Sequence, residues 1–196
     1  MEYLQENTEI NVLDLRPVFM DASQSSQIYY KADAHWNCLG AYYASNEILT
    51  QVSALHPQVQ THPLSSFEFG TMSDSSLDIS RAMGLALQED TVTLTPKFPT
   101  GSISYASYEK NPLIKVAKNS QAGLPRAVIL HDSFYTECLN QLLEPQFSQI
   151  ISMHYETALL PDYKGLIDAE KPDVVIVEFA ERHIEYFFKL ITREGK

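Results

Sequence analysis

The residues best suited to chemistry sit in the stretch YYKADAHWNCLGAYY, Tyr29 to Tyr43. Asp33 and His35 lie two positions apart, just before a helical pattern begins. A histidine can take up and return a proton near neutral pH. A carboxylate on its far ring nitrogen fixes the tautomer and stabilises the imidazolium. Such a pair needs a nucleophile, and a serine hydroxyl is inert until a base removes its proton. The segment RAVILHDSF, Arg126 to Phe134, offers Ser133 at the end of an apolar strand and the mouth of a following helix. Functional side chains of open α/β sheets gather beyond such strand ends, and free backbone N–H groups at a helix start can stabilise an oxyanion. Asp33, His35 and Ser133 therefore form a candidate triad for acyl chemistry. The same residues also fit a plainer arrangement, in which Asp33 caps a turn, His35 is a surface histidine and Ser133 caps its helix. Residue types alone do not separate the two.

The elements that must position them read as alternating strands and helices. Glu9–Leu15 reads as a strand and Ser26–Lys31 as a shorter extended run. From Asn37, a suitable N-cap, Ala41, Ala44, Ile48, Val52 and Leu55 recur at helical spacing. Arg126–Phe134, Ser148–Tyr155 and Pro172–Phe179 read as strands, the last apolar enough to lie centrally with both faces covered. Helices carrying Leu139, Leu142 and Leu143, then Leu159, Leu166 and Ile167, separate them. A final helix places Ile184, Phe187, Phe188 and Ile191 on one side, with Glu185 and Lys189 as an exposed pair. This order predicts an α/β fold, three-layer α/β/α with a mainly parallel sheet. A single domain spanning 1–196 is expected. Within it, 65–123, rich in Ser and Thr, reads as an insertion or irregular surface with short β-like pieces such as Thr91–Pro96. Helical character around Leu77–Leu87 is modest.

Composition excludes several classes. The chain has 14 basic and 25 acidic residues, a formal charge of −11, and no dense basic cluster. Nucleic acid is thus not an expected partner, and a polyanionic substrate would need a local basic groove. No apolar run reaches the length of a membrane span, and the opening MEYLQENTEI lacks signal-peptide character. The two cysteines, Cys38 and Cys138, have no zinc-ligand spacing, so neither metal nor cofactor is expected. They read first as buried thiols and second as a disulfide.

The Asp-Ala-His-Trp-Asn run, with Gly40 shortly after, resembles the Asp-x-His-Trp motif of the alginate O-acetyltransferase family, SGNH-hydrolase-like proteins that acetylate bacterial exopolysaccharides. Ala34 stands where the family usually has threonine. RAVILHDSF resembles the family's serine motif, EKPDVVIVEFAER its closing Glu-Arg segment, and VLDLRPVF its approach to the first motif. The resemblance implies an SGNH-hydrolase-like fold with permuted motif order. It further implies Ser133 as nucleophile, His35 as base and Asp33 as its orienting partner. An acetyl donor and a polysaccharide would be the partners, with exopolysaccharide-biosynthesis proteins alongside, outside the cytoplasm. A carbohydrate esterase using the same triad, or a silent binding or assembly subunit, are the rival functions.

Trp36, Arg182, His131 and Asp132 are the candidate substrate-binding residues. Each has a plainer reading. Trp36 can pack under its helix, Asp132 can satisfy loop N–H groups, His131 can be a satisfied strand-end histidine, and Arg182 can pair with Glu178 or Glu181.

Overall fold

The computed structural model describes residues 2–109, 111–155 and 163–185. At its centre is a five-stranded sheet in the order β3-β4-β6-β5-β7. The strands are β3 (Ile103–Tyr108), β4 (Asn111–Asn119), β5 (Arg126–His131), β6 (Gln149–His154) and β7 (Val174–Val177). Strands β5, β6 and β7 pair in parallel, whereas β4 is antiparallel to both β3 and β6. The sheet is mixed, not mainly parallel. Its antiparallel half comes from the stretch read as irregular, where β3 and β4 form a hairpin that extends the sheet. A separate ribbon, β1 (Phe67–Asp74) against β2 (Glu89–Pro96), also lies in that stretch.

Alternation along β5 sends its side chains to opposite faces of the sheet. Ala127 and Ile129 join a large core with Ile150 and the helix α3 (Cys38–Leu55). Val128 and Leu130 join a smaller core with Ile151, Met153 and Leu166. Leu166 belongs to the helix after β6, Tyr163–Glu170. Helices therefore cover both faces. Helices α1 (Glu2–Asn7), α2 (Arg16–Ala22), α4 (Asp78–Ala82) and α5 (Asn140–Leu143), with α6 (Tyr163–Glu170), complete the described set. None is long and apolar enough to cross a membrane.

Three further expectations change. Glu9–Leu15 forms no strand; Leu13 and Leu15 lean on the core, but no neighbouring strand supplies a ladder. Ser26–Lys31 makes one bridge, Tyr29 with Trp36, closed by Tyr30 N–H donating to His35 O and Asn37 N–H to Ile28 O. Strand β7 ends the strand order, and Val175 and Val177 are each 44% exposed. An apolar run thus marked a strand without marking its place. Most of the final helix, with Phe187, Phe188, Lys189 and Ile191, lies outside the described residues, as does Leu159.

Candidate active site

Asp33 and His35 occupy the tight turn that leads into α3. Asn37 caps that helix, its side chain accepting from the N–H groups of Leu39 (3.0 Å) and Gly40 (3.2 Å). Gly40 is required by contact: a Cβ there would come within 2.7 Å of the Trp36 Cβ and collide with the Ile28 carbonyl. Ser133 follows β5 at the first turn of the next segment. The three side chains meet. His35 Nδ1 lies 2.6 Å from Asp33 Oδ1, and His35 Nε2 lies 2.7 Å from Ser133 Oγ. A carboxylate can only accept, so Nδ1 carries the proton and Nε2 is left to accept from the serine hydroxyl.

The Asp33 carboxylate is well supplied with donors. Oδ1 also accepts from His35 N–H (2.9 Å) and Oδ2 from Asp78 N–H (2.6 Å). Burial raises its pKa, but these bonds and the His35 ring together hold it below the usual carboxylate range. The turn itself is clamped by α4 and by the ribbon. Asp78 accepts from Ala34 N–H (2.8 Å), and Glu89 accepts from the N–H groups of Lys31 (2.9 Å) and Ala32 (3.2 Å). Neither Asp78 nor Glu89 stood out in the sequence, because nothing in their spacing ties them to a site more than forty residues away. Donor atoms of Asp33, His35 and Asp78 lie within 4.8 Å of one another. Holding a cation there would mean surrendering bonds that orient His35.

On the serine side, the chain from Tyr135 to Leu139 is not a regular helix. Glu137 (φ −85°, ψ 79°) and Cys138 (φ 67°, ψ −24°) depart from helical geometry. Cys138 is joined to Cys38 by a disulfide, Cα to Cα 5.2 Å. The thiols ranked first from sequence are therefore oxidised, because the two motifs bring positions 38 and 138 together. Beside the link, Trp36 Nε1–H donates to Glu137 O (2.9 Å). Glu137 itself is half-buried; burial pushes its carboxyl up, and His35 pulls it partly back.

The remaining candidates separate. Trp36 is 4% exposed and packs edge-on against Phe134 and Phe19, so it builds the core beneath the turn. His131 is also buried, its Nδ1–H donating to Asp132 O (2.7 Å) with the ring against Tyr135. Burial drives its pKa down to about 4. It faces the interior, not an open site. Asp132 is fully enclosed and accepts from Phe134 N–H, Ala180 N–H and His183 Nδ1–H, each at 2.8 Å. Arg182 is exposed. Its guanidinium carbon lies 5.1 Å over the centre of the Phe134 ring, which is itself 4.7 Å from the His35 ring. It is stacked on Phe134, a ring that neighbours His35, and not on Glu178 or Glu181 as in the plainer reading.

A family model described as SGNH hydrolase-like domain, acetyltransferase AlgX, matches residues 3–124. Among solved structures, Bacillus cereus PatB1 superposes with a TM-score of 0.71 at 15% identity, covering 93% of this chain and 73% of that one. A DHHW family protein from Eubacterium siraeum gives 0.61 at 14% identity, over 81% of this chain and 61% of that one. The O-acetyltransferase domain of Pseudomonas putida AlgJ gives 0.50 at 17% identity, over 87% and 59%. At such identities the likeness establishes the fold. No curated protein sequence matches the chain.

Proposed function

This chain belongs to the SGNH hydrolase-like family of the acetyltransferase AlgX, and from that premise we propose that it carries an acetyl group on Ser133 and passes it to a polysaccharide hydroxyl. The observation that carries this reading is the continuous line Asp33–His35–Ser133, with contacts of 2.6 and 2.7 Å. Those distances fit a nucleophile and base ready to exchange a proton.

In the first half-reaction Ser133 Oγ attacks the acetyl carbonyl while its proton passes to His35 Nε2. His35 then returns that proton to the departing group, leaving acetyl-Ser133. In the second, a sugar hydroxyl gives its proton to His35 as its oxygen attacks the acetyl carbon. The Ser133 oxygen leaves and recovers the proton. Asp33 stays ionised throughout and steadies the imidazolium. Developing negative charge on the carbonyl oxygen is met by the Ser133 backbone N–H; the Phe134 N–H is already committed to Asp132. The same steps with water in place of the sugar would give an esterase.

The disulfide favours work outside the reducing cytoplasm, where exopolysaccharide-biosynthesis proteins would be its neighbours.

The test is release of nitrophenol from p-nitrophenyl acetate, with and without a soluble sugar oligomer, by the intact protein and by Ser133→Ala. Turnover that disappears in Ser133→Ala, with acetylated oligomer formed, is the expected result. Free acetate alone would move the assignment to an esterase, and an intact protein no faster than Ser133→Ala would sink both readings.

A further inference from the structure

The buried carboxylate of Asp132 takes no part in the proton transfers above. It is fully enclosed and lies one residue before Ser133. A buried charge is costly unless it is compensated by hydrogen bonds, and here the compensation comes from two directions. Oδ1 accepts from Phe134 N–H and closes the turn that carries the serine. Oδ2 accepts from Ala180 N–H and from His183 Nδ1–H, both beyond β7.

His183 extends the line. With Nδ1–H directed at Asp132, its Nε2 is the accepting nitrogen, and Arg182 Nε–H donates to it at 3.3 Å. The Arg182 guanidinium then lies over the Phe134 ring, whose centre is 4.7 Å from that of His35. The remaining acidic neighbour, Glu178, has Oε2 3.4 Å from Asp132 N. Burial and the Asp132 charge push its carboxyl up to about 8, so at neutral pH it adds no second negative charge beside Asp132.

We propose that Asp132 and His183 form a second Asp–His pair at Ser133, one that serves by position and moves no proton. His183 holds the serine turn through Asp132 and sets the Arg182 guanidinium at the mouth of the site, where it engages the oxygen-bearing substrate. The inference rests on the acyl-serine reading and adds His183 and Arg182 to it as positioning and recognition residues.

The test compares His183→Ala, His183→Asn and Arg182→Ala for Ser133-dependent turnover of p-nitrophenyl acetate. It also reads the ring 15N shifts of His183 in the intact protein. Asparagine can place a donor where Nδ1–H stands but offers Arg182 no matching acceptor. His183→Ala should lower kcat by about 10- to 100-fold, as expected when a reacting group is misplaced. His183→Asn should recover most of kcat yet keep a raised KM, and Arg182→Ala should raise KM with kcat held. A role confined to folding stability would shift the melting temperature without this split or rescue. Wild-type kinetics in His183→Ala and Arg182→Ala, beside Ser133-dependent turnover in the intact protein, would overturn the inference and leave the acyl-serine reading standing. No Ser133-dependent turnover at all would overturn that reading instead. Ring shifts that lack the Nδ1–H tautomer at His183 would overturn the inference whatever the kinetics.

Discussion

Asp33 is the residue on which the site's orientation hinges. Its carboxylate accepts from the His35 ring, the His35 backbone and the Asp78 backbone at once. Asp33→Asn places an amide where the acceptor pair should be and lets the imidazole adopt the wrong tautomer. Steady-state kinetics should show kcat falling by roughly 10³- to 10⁴-fold, the scale set by the same change in a serine protease triad. Because the folded-state pKa of Asp33 is depressed, its contribution to stability is present above the ordinary carboxylate pKa. That contribution is lost as the pH falls through the folded value. Acid titration of the melting temperature should show this loss, and Asp33→Asn should blunt it. Asp33, His35 and Ser133 were legible in the sequence because two short motifs carry them with fixed neighbours. Asp78, Glu89 and His183 were not. Each acts through a backbone amide or another side chain, and one acidic or imidazole residue far along the chain carries no sign of what it will meet.

At the scale of elements, the start of α3 and the kinked segment after Ser133 are held together by packing, a hydrogen bond and a covalent bond. Gly40 admits the Ile28 carbonyl and Trp36 against the helix. Gly40→Ala should destabilise the fold by about 1–3 kcal/mol through overpacking, visible in chemical denaturation, and should lower kcat as the His35 turn shifts. Cys138 takes a left-handed φ of 67°, a conformation unfavourable to residues with a Cβ, and the bond to Cys38 holds it there. The double change Cys38→Ser and Cys138→Ser should cost about 2–4 kcal/mol. Reduction of the intact protein should lower kcat along with the melting temperature. Strands β5 and β6 were readable because continuous apolar runs have few other uses. The N-terminal run was misread for a related reason: hydrophobic spacing reports burial, and Leu13 and Leu15 are partly buried against the core without a strand to pair with.

Across the whole molecule, the mixed sheet was the least legible feature. In β3 most side chains are exposed, and β4 buries only Ile114, Val116 and Ala117. Strands that half-face solvent, with Ser and Lys between their few apolar residues, leave no clear alternation to read. The global pH response is a further outcome of burial. Glu178 has its pKa raised in the folded state to about 8, so between the ordinary carboxylate range and that value this group binds more protons folded than unfolded, whereas His131, pushed down to about 4, does the reverse up to the ordinary histidine range. From about pH 6.5 upward, where His131 is neutral in both states, stability should therefore fall by at most about 1.4 kcal/mol per pH unit from Glu178, and level off above its folded pKa. Denaturation midpoints taken from about pH 6.5 to 9 should show the slope, and Glu178→Gln should flatten it.

The bond between Cys38 and Cys138 spans 100 residues of sequence, including the ribbon, its exposed turn at Gly84 and the hairpin of β3 and β4. Asp33 and His35 stand just outside one end of that span and Ser133 just inside the other. A proteolytic cut at Gly84 would place His35 and Ser133 on two separate polypeptides, yet leave them tethered within a few residues of where they meet. Such a nicked protein would run as one species without reductant and as two with it.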